Sequence, residues 1–163
     1  MRPELRRQLP AALTLRLLRM GRFEAARRMA AAHPMMLIES PEVAARLRET
    51  AEPADFPAIA AIFQLAWQQP FMRGERFERE SAAFETRWAE ADLQAGKSDA
   101  ALAHLLQARK YQRADFASAR RLAELRVERG ERNLARAVLN DYVACRDAPD
   151  ADREKARAML AAL

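Results

Sequence analysis

Few residues in this 163-residue chain are of the types that do covalent or metal chemistry, and they are widely spaced. His33 and His104 stand 71 residues apart, and Cys145 is the one cysteine. A zinc site draws Cys and His ligands in close pairs, and none occur. Cys145 cannot form an internal disulfide. It reads as a helix-packing residue, His33 as a hairpin contact and His104 as a helix-surface residue. Acid–base work needs carboxylates converging on one point, but Glu90 and Asp92 lie on opposing faces of a helix. No glycine-rich phosphate loop is present. The strand–turn–helix elbow that exposes a nucleophilic serine has no strand to stand on. The expectation is a protein that is not an enzyme, with no cofactor and no metal.

Binding chemistry is better represented. Residues 1–32 hold Arg2, Arg6, Arg7, Arg16, Arg19, Arg22, Arg27 and Arg28 against Glu4 and Glu24, a surplus of +6. The remainder carries −1, within a net charge of +5. Such a basic end suits nucleic-acid phosphate. Arginine outnumbers lysine 25 to 3, however, which in an alanine-rich chain points to a coding bias rather than selection for phosphate contact. A second stretch, Gln68 to Glu80, interleaves Arg73, Arg76 and Arg79 with Phe71 and Phe77. Glu75, Glu78 and Glu80 cancel its field, so a solvated helix start is expected there. Leu5, Leu9, Leu13 and Leu17 fall on one helical face, which also suits an anionic membrane surface.

These residues must be positioned by helices. Alanine, leucine, arginine and glutamate dominate, while β-branched residues are scarce, so the fold class is all-α. The length suits one domain, 1–163. Its second half is self-similar. Gly96 and Gly130 are 34 residues apart, and each is preceded by apolar residues (Trp88 and Leu93; Leu122 and Val127). Each is followed by an alanine and a leucine (Ala101 and Leu105; Ala135 and Leu139). The template also fits Gly21, with Leu13 and Leu18 before it and Ala26 and Ala30 after it. A fixed period of this length marks stacked helix hairpins. The glycine ends one helix in the left-handed conformation, and the alanine lets the two helices approach closely. One hairpin cannot bury its own apolar face, so hairpins stack.

Helices are expected over 4–20, 23–32, 40–50, 55–67, 77–95, 98–109, 116–129, 131–146 and 151–162, eight or nine in all. Met35 to Ile38 reads as a buried connector. Ser40, Ser98 and Asp115 read as helix caps. Asp55-Phe56 takes the place of a glycine turn in a degenerate second unit.

The chain resembles the tetratricopeptide repeat (TPR) family. The resemblance rests on the 34-residue spacing, on Gly96-Lys97-Ser98-Asp99-Ala100-Ala101 with Leu105 and Ala108, on Gly130 with Leu134-Ala135 and Leu139, and on Gly21-Arg22-Phe23-Glu24-Ala25-Ala26. The closing proline is absent, Arg113 and Asp147 standing there, and His33 and Tyr142 replace a small alanine. The resemblance implies an α-α superhelix of stacked antiparallel hairpins, with units at 4–34, 40–70, 77–113 and 115–147 and a capping helix at 151–162. In that family the first helices line a concave groove that takes a peptide or helix of a partner. The resemblance puts Thr86, Glu90 and Leu93 on that surface in one unit, and Arg120, Glu124 and Val127 in the next. The lysine and asparagine with which one subtype clamps a carboxylate are missing, and two glutamates favour a basic or mixed partner.

The resulting expectation is a bacterial, cytoplasmic, non-catalytic protein-binding module: an adaptor, assembly factor or secretion-type chaperone. The alternative is a nucleic-acid-binding repeat protein using its basic first helices. The two exposed ends of an array leave room for a homo-oligomer. No run approaches the ~20 apolar residues of a membrane span, and Arg16 and Arg19 break the pattern of a signal peptide.

Overall fold

Good helix formers throughout carry the chain into helix wherever turn residues do not interrupt it. The computed structural model describes residues 3–70 and 73–163, and of residues 3–7 the backbone alone. Arg2 and Phe71 lie outside the described residues, as do the side chains of Leu5, Arg6 and Arg7. Among the described residues there are ten α-helices and one 3-10 turn, without strands. They are α1 (Pro3–Arg19), α2 (Phe23–Ala32), α3 (Met35–Glu39), α4 (Pro41–Thr50), the turn Pro53–Asp55, α5 (Phe56–Trp67), α6 (Glu75–Gln94), α7 (Ser98–Tyr111), α8 (Phe116–Glu128), α9 (Arg132–Val143) and α10 (Asp150–Ala162).

The helix beyond the expected eight or nine is α3. Met36 and Leu37 are buried, which takes their backbone from water. One helical turn satisfies it, through Leu37 N–H to the Pro34 carbonyl at 3.1 Å and Ser40 N–H to the Met36 carbonyl at 2.8 Å.

The chain divides into two compact units, Met1–Glu80 and Ser81–Leu163. In the first, α1 packs on α2, α3 and α4, and α2 packs on α5. Phe56, Ile59, Ile62 and Phe63 of α5 are buried in its core. Phe77 is also fully buried, stacked on Phe63 at 5.9 Å and tilted on Trp67 at 5.5 Å. The stretch expected as a solvated helix start therefore anchors a core aromatic. In the second unit α7 packs on α8, α8 on α9 and α9 on α10.

The glycines of the template behave alike. Gly21, Gly96 and Gly130 have φ of 70°, 73° and 77°, a region that costs an L residue strain. At each, the amide after the glycine returns to the carbonyl five residues earlier: Arg22 to Leu17 at 2.9 Å, Lys97 to Asp92 at 2.7 Å, Glu131 to Arg126 at 2.8 Å. This is the Schellman closure of a helix end. The next helix then opens on the same bond, from Ala26 to Arg22, Ala101 to Lys97 and Ala135 to Glu131, and all three alanines are fully buried.

Where glycine is missing the chain turns differently. Ala51 is extended, and Glu52 and Asp55 bond reciprocally around Pro53–Asp55. Asp115 caps α8 as expected, accepting from Ser118 N–H at 2.7 Å. Ser40 and Ser98 do not cap with their hydroxyls. Ser98 is instead the first residue of α7, and Pro41 starts α4.

Candidate interaction surface

The six groove residues lie on α6 and α8 within the second unit, and they are unequally presented. Thr86 is buried, and its hydroxyl donates to the Ala82 carbonyl at 2.9 Å. Leu93 is half-buried against Ala89, Ala101, Leu105, Leu122 and Leu125. Val127 lies against a second cluster that includes Ala123, Ala135 and Leu139. The polar groups that reach water are Glu90, Arg120 and Glu124. Glu124 stands between Arg120 at 3.4 Å and Arg121 at 3.3 Å. Its charge is thus balanced, and Glu90 is left as the groove carboxylate with field to spare, not two glutamates acting together.

Of the basic patch, Arg16, Arg19, Arg22 and Arg28 are exposed. Arg27 is half-buried on Asp55, and Arg28 pairs with Glu24 at 3.0 Å. Arg16, Arg19 and Arg22 form no ion pair among the described residues. Arg22 lies at the Gly21 turn, where with Phe23, Glu24, Arg27 and Arg28 it lines a shallow depression of about 390 Å³, whereas Arg19 lies with Leu15, Leu18, Arg46 and Thr50.

Sequence reasoning missed a polar cluster between α6 and α7. His104 is not on open surface. Its Nδ1 lies 2.7 Å from Glu85 Oε2, and its Nε2 lies 3.6 Å from Asp92 Oδ2. The ring stacks on Trp88 at 4.0 Å between centroids. Lys97 approaches Asp92 at 3.9 Å across the Gly96 turn. Glu85, Trp88 and Asp92 recur at i, i+3 and i+7, so one face of α6 carries all three; that spacing was the available signal. Burial pushes the Tyr111 phenol upward, a bond from Gln107 opposes this, and the Glu85 charge adds to the rise. Carboxylates that hold a histidine also orient catalytic imidazoles. Here Nδ1 is held by the Glu85 carboxylate, Nε2 lies near that of Asp92, and one ring face is covered by indole. His33, expected at a hairpin contact, is exposed at the end of α2.

Among the described residues no group of three or more His, Cys, Asp or Glu is placed to hold a metal ion. No helix among them is long and apolar enough to cross a membrane. Cys145 is buried in the cluster of Leu139, Tyr142 and Ala156. The chain matches no protein-family model, no curated protein and no solved structure.

Proposed function

We propose that the chain is a non-catalytic protein-interaction module of TPR-like hairpins, an adaptor, assembly factor or secretion-type chaperone. The observation that carries this reading is the recurrence of one hairpin turn at Gly21, Gly96 and Gly130, each with the same closing bond and the same buried alanine five residues on. Hairpins made to one template stack into a superhelix whose first helices lie side by side. The stacking of units 4–34, 40–70, 77–113 and 115–147 under a capping helix belongs to the proposal. In it, Glu90 and Arg120 reach a peptide or helix of mixed charge, with Leu93 and Val127 at the groove floor.

The test is capture from native lysate after nuclease treatment at moderate salt. The wild-type chain is set beside Glu90→Lys with Arg120→Glu. A stoichiometric protein held by the wild type and weakened about tenfold by the charge reversal is expected. Equal capture by both counts against the groove assignment.

A second reading, nucleic-acid binding, is favoured by Arg16, Arg19 and Arg22, which are exposed and in no ion pair among the described residues. If those three neutralise phosphates on single-stranded RNA, the log–log salt slope is about −2. A flat salt response removes it.

A further inference from the structure

Among the described residues, the outer face of α1 from Leu9 to Met20 is left in water. Leu9, Leu13, Arg16 and Met20 recur at i, i+4, i+7 and i+11, the spacing of a helix–helix seam. Leu9, Leu13 and Met20 are 58%, 39% and 60% exposed, whereas Ala11, Thr14 and Leu18 on the opposite face are buried. Phe23, the first residue of α2 after the Gly21 turn, is also 39% exposed. The last helix differs: the outer row of α10 is Ala151, Glu154, Lys155, Ala158, Ala161 and Ala162, which leaves no large apolar group in water. A row of large apolar side chains left in water marks an interaction surface.

We infer that this face of α1 docks an amphipathic helix of another protein, one with an apolar stripe of its own and a carboxylate set opposite Arg16. The row has helical spacing, and its eleven-residue span is roughly 16 Å, about three turns of a partner helix. Arg16 interrupts the row at its centre, with Arg19 and Arg22 at the flank, all exposed and in no ion pair among the described residues. Covered by an apolar partner, Arg16 would lose water without compensation. A facing Asp or Glu restores a charge-assisted, two-pronged bond. An acyl interior gives Arg16 no such partner at the centre of the row, and a membrane would leave it to snorkel to the headgroups. A second copy of α1 brings like charges together. This inference uses none of the groove residues and stands apart from the reading of α6 and α8.

The probe is a fluorescein-labelled peptide of about three heptads, with Leu at a and d and Glu at one central d position. A counterpart carries Lys at that position. Fluorescence anisotropy with the full chain is expected to show binding of the Glu peptide and a preference over the Lys peptide. Leu13→Ser with Met20→Ser weakens binding at least about tenfold, and Arg16→Glu reverses the preference. Arg16→Gln removes the preference without reversing it. Thermal melts by circular dichroism confirm that each variant folds. Equal binding of both peptides, or of neither, overturns the inference. So does release from phosphatidylserine vesicles, or loss of a concentration-dependent dimer, caused by the same variants in place of any effect on the peptide.

Discussion

Tyr142 stands twelve residues after Gly130, at the position that Ala108 holds after Gly96. It is wholly buried, with Phe116 at 5.4 Å and the Arg109 guanidinium 5.7 Å from its ring centroid. Its hydroxyl donates to the Ala114 carbonyl at 3.4 Å. Burial, with Asp152 and Asp115 adding to it, pushes the phenol from 10.0 to about 12. The folded state therefore holds its proton where the unfolded chain has begun to release it. Below pH 10 both states are protonated, and the contribution of Tyr142 is complete. Between about pH 10 and 12 only the unfolded state ionises, so stability falls as pH rises, by about 3 kcal/mol across the window. Urea melts in steps from neutral pH to about 12, on the wild type and on Tyr142→Phe, read this directly. Near neutral pH the Phe variant loses about 1 kcal/mol or less, since the hydrogen bond is long. Its decline above pH 10 is shallower than that of the wild type, and what remains includes Tyr111, whose phenol is also raised. Parallel declines in the two proteins would refute the reasoning. Tyr142→Ala adds a cavity and costs roughly 3–5 kcal/mol at neutral pH.

Three further outcomes are expected. Gly96→Ala meets no atom within 4 Å, so its cost is the backbone strain of φ 73°. That is about 1 kcal/mol by urea melts, less for Gly96→Asn and none for Gly74→Ala, which also has open space and no positive φ. His104→Ala leaves Glu85 and Asp92, 10% and 11% exposed, facing each other's field without the imidazole. Loss of the 2.7 Å bond to the Glu85 carboxylate and of the stack on Trp88 costs roughly 1–3 kcal/mol by urea melts, and an unchanged stability would refute this. The bond from Arg113, with Arg109 assisting, holds the Asp141 carboxyl below its ordinary 3.8. Its contribution is present above that value and is lost as pH falls below it. Acid melts of Asp141→Asn therefore decline less between about pH 4 and 2 than those of the wild type.

The hairpin turns were legible because backbone geometry selects a residue type. A helix closed in the left-handed region shows itself as Gly21, Gly96 or Gly130, and close helix approach shows itself as Ala26, Ala101 or Ala135. The cap at Asp115 was legible for the same local reason. Ser98 was misread because α7 begins one residue early, which moves its hydroxyl off the capping position, whereas Ser40 stands at the cap of α4 without its hydroxyl bonding there. Phe77 was hidden among charges of alternating sign, a pattern that reads as solvent until Phe63 and Trp67 are placed beside it. The His104 cluster was illegible for a deeper reason. Glu85 and Asp92 define a face of α6, but only the neighbouring α7 decides whether that face meets water or an imidazole. Thr86 is the converse case: its residue type suits a groove, yet its hydroxyl turns back to the Ala82 carbonyl.

Charge shows how far composition alone misleads about recognition. In the second unit the arginines are largely committed: Arg109 and Arg113 to Asp141, Arg121 to Glu124 and Glu128, Arg126 to Glu131, and Arg129 to Asp99. Exposed pairs of this kind add little stability, ~0–1 kcal/mol each. Their larger effect is to cancel the field of the surface they occupy. Arg16, Arg19 and Arg22 are in no ion pair among the described residues, and they border the large apolar side chains that α1 leaves in water. Among the described residues α1 and the turn after it thus keep three such guanidiniums within seven residues, Arg16 to Arg22, and a partner drawn to them meets the apolar row of α1 beside them.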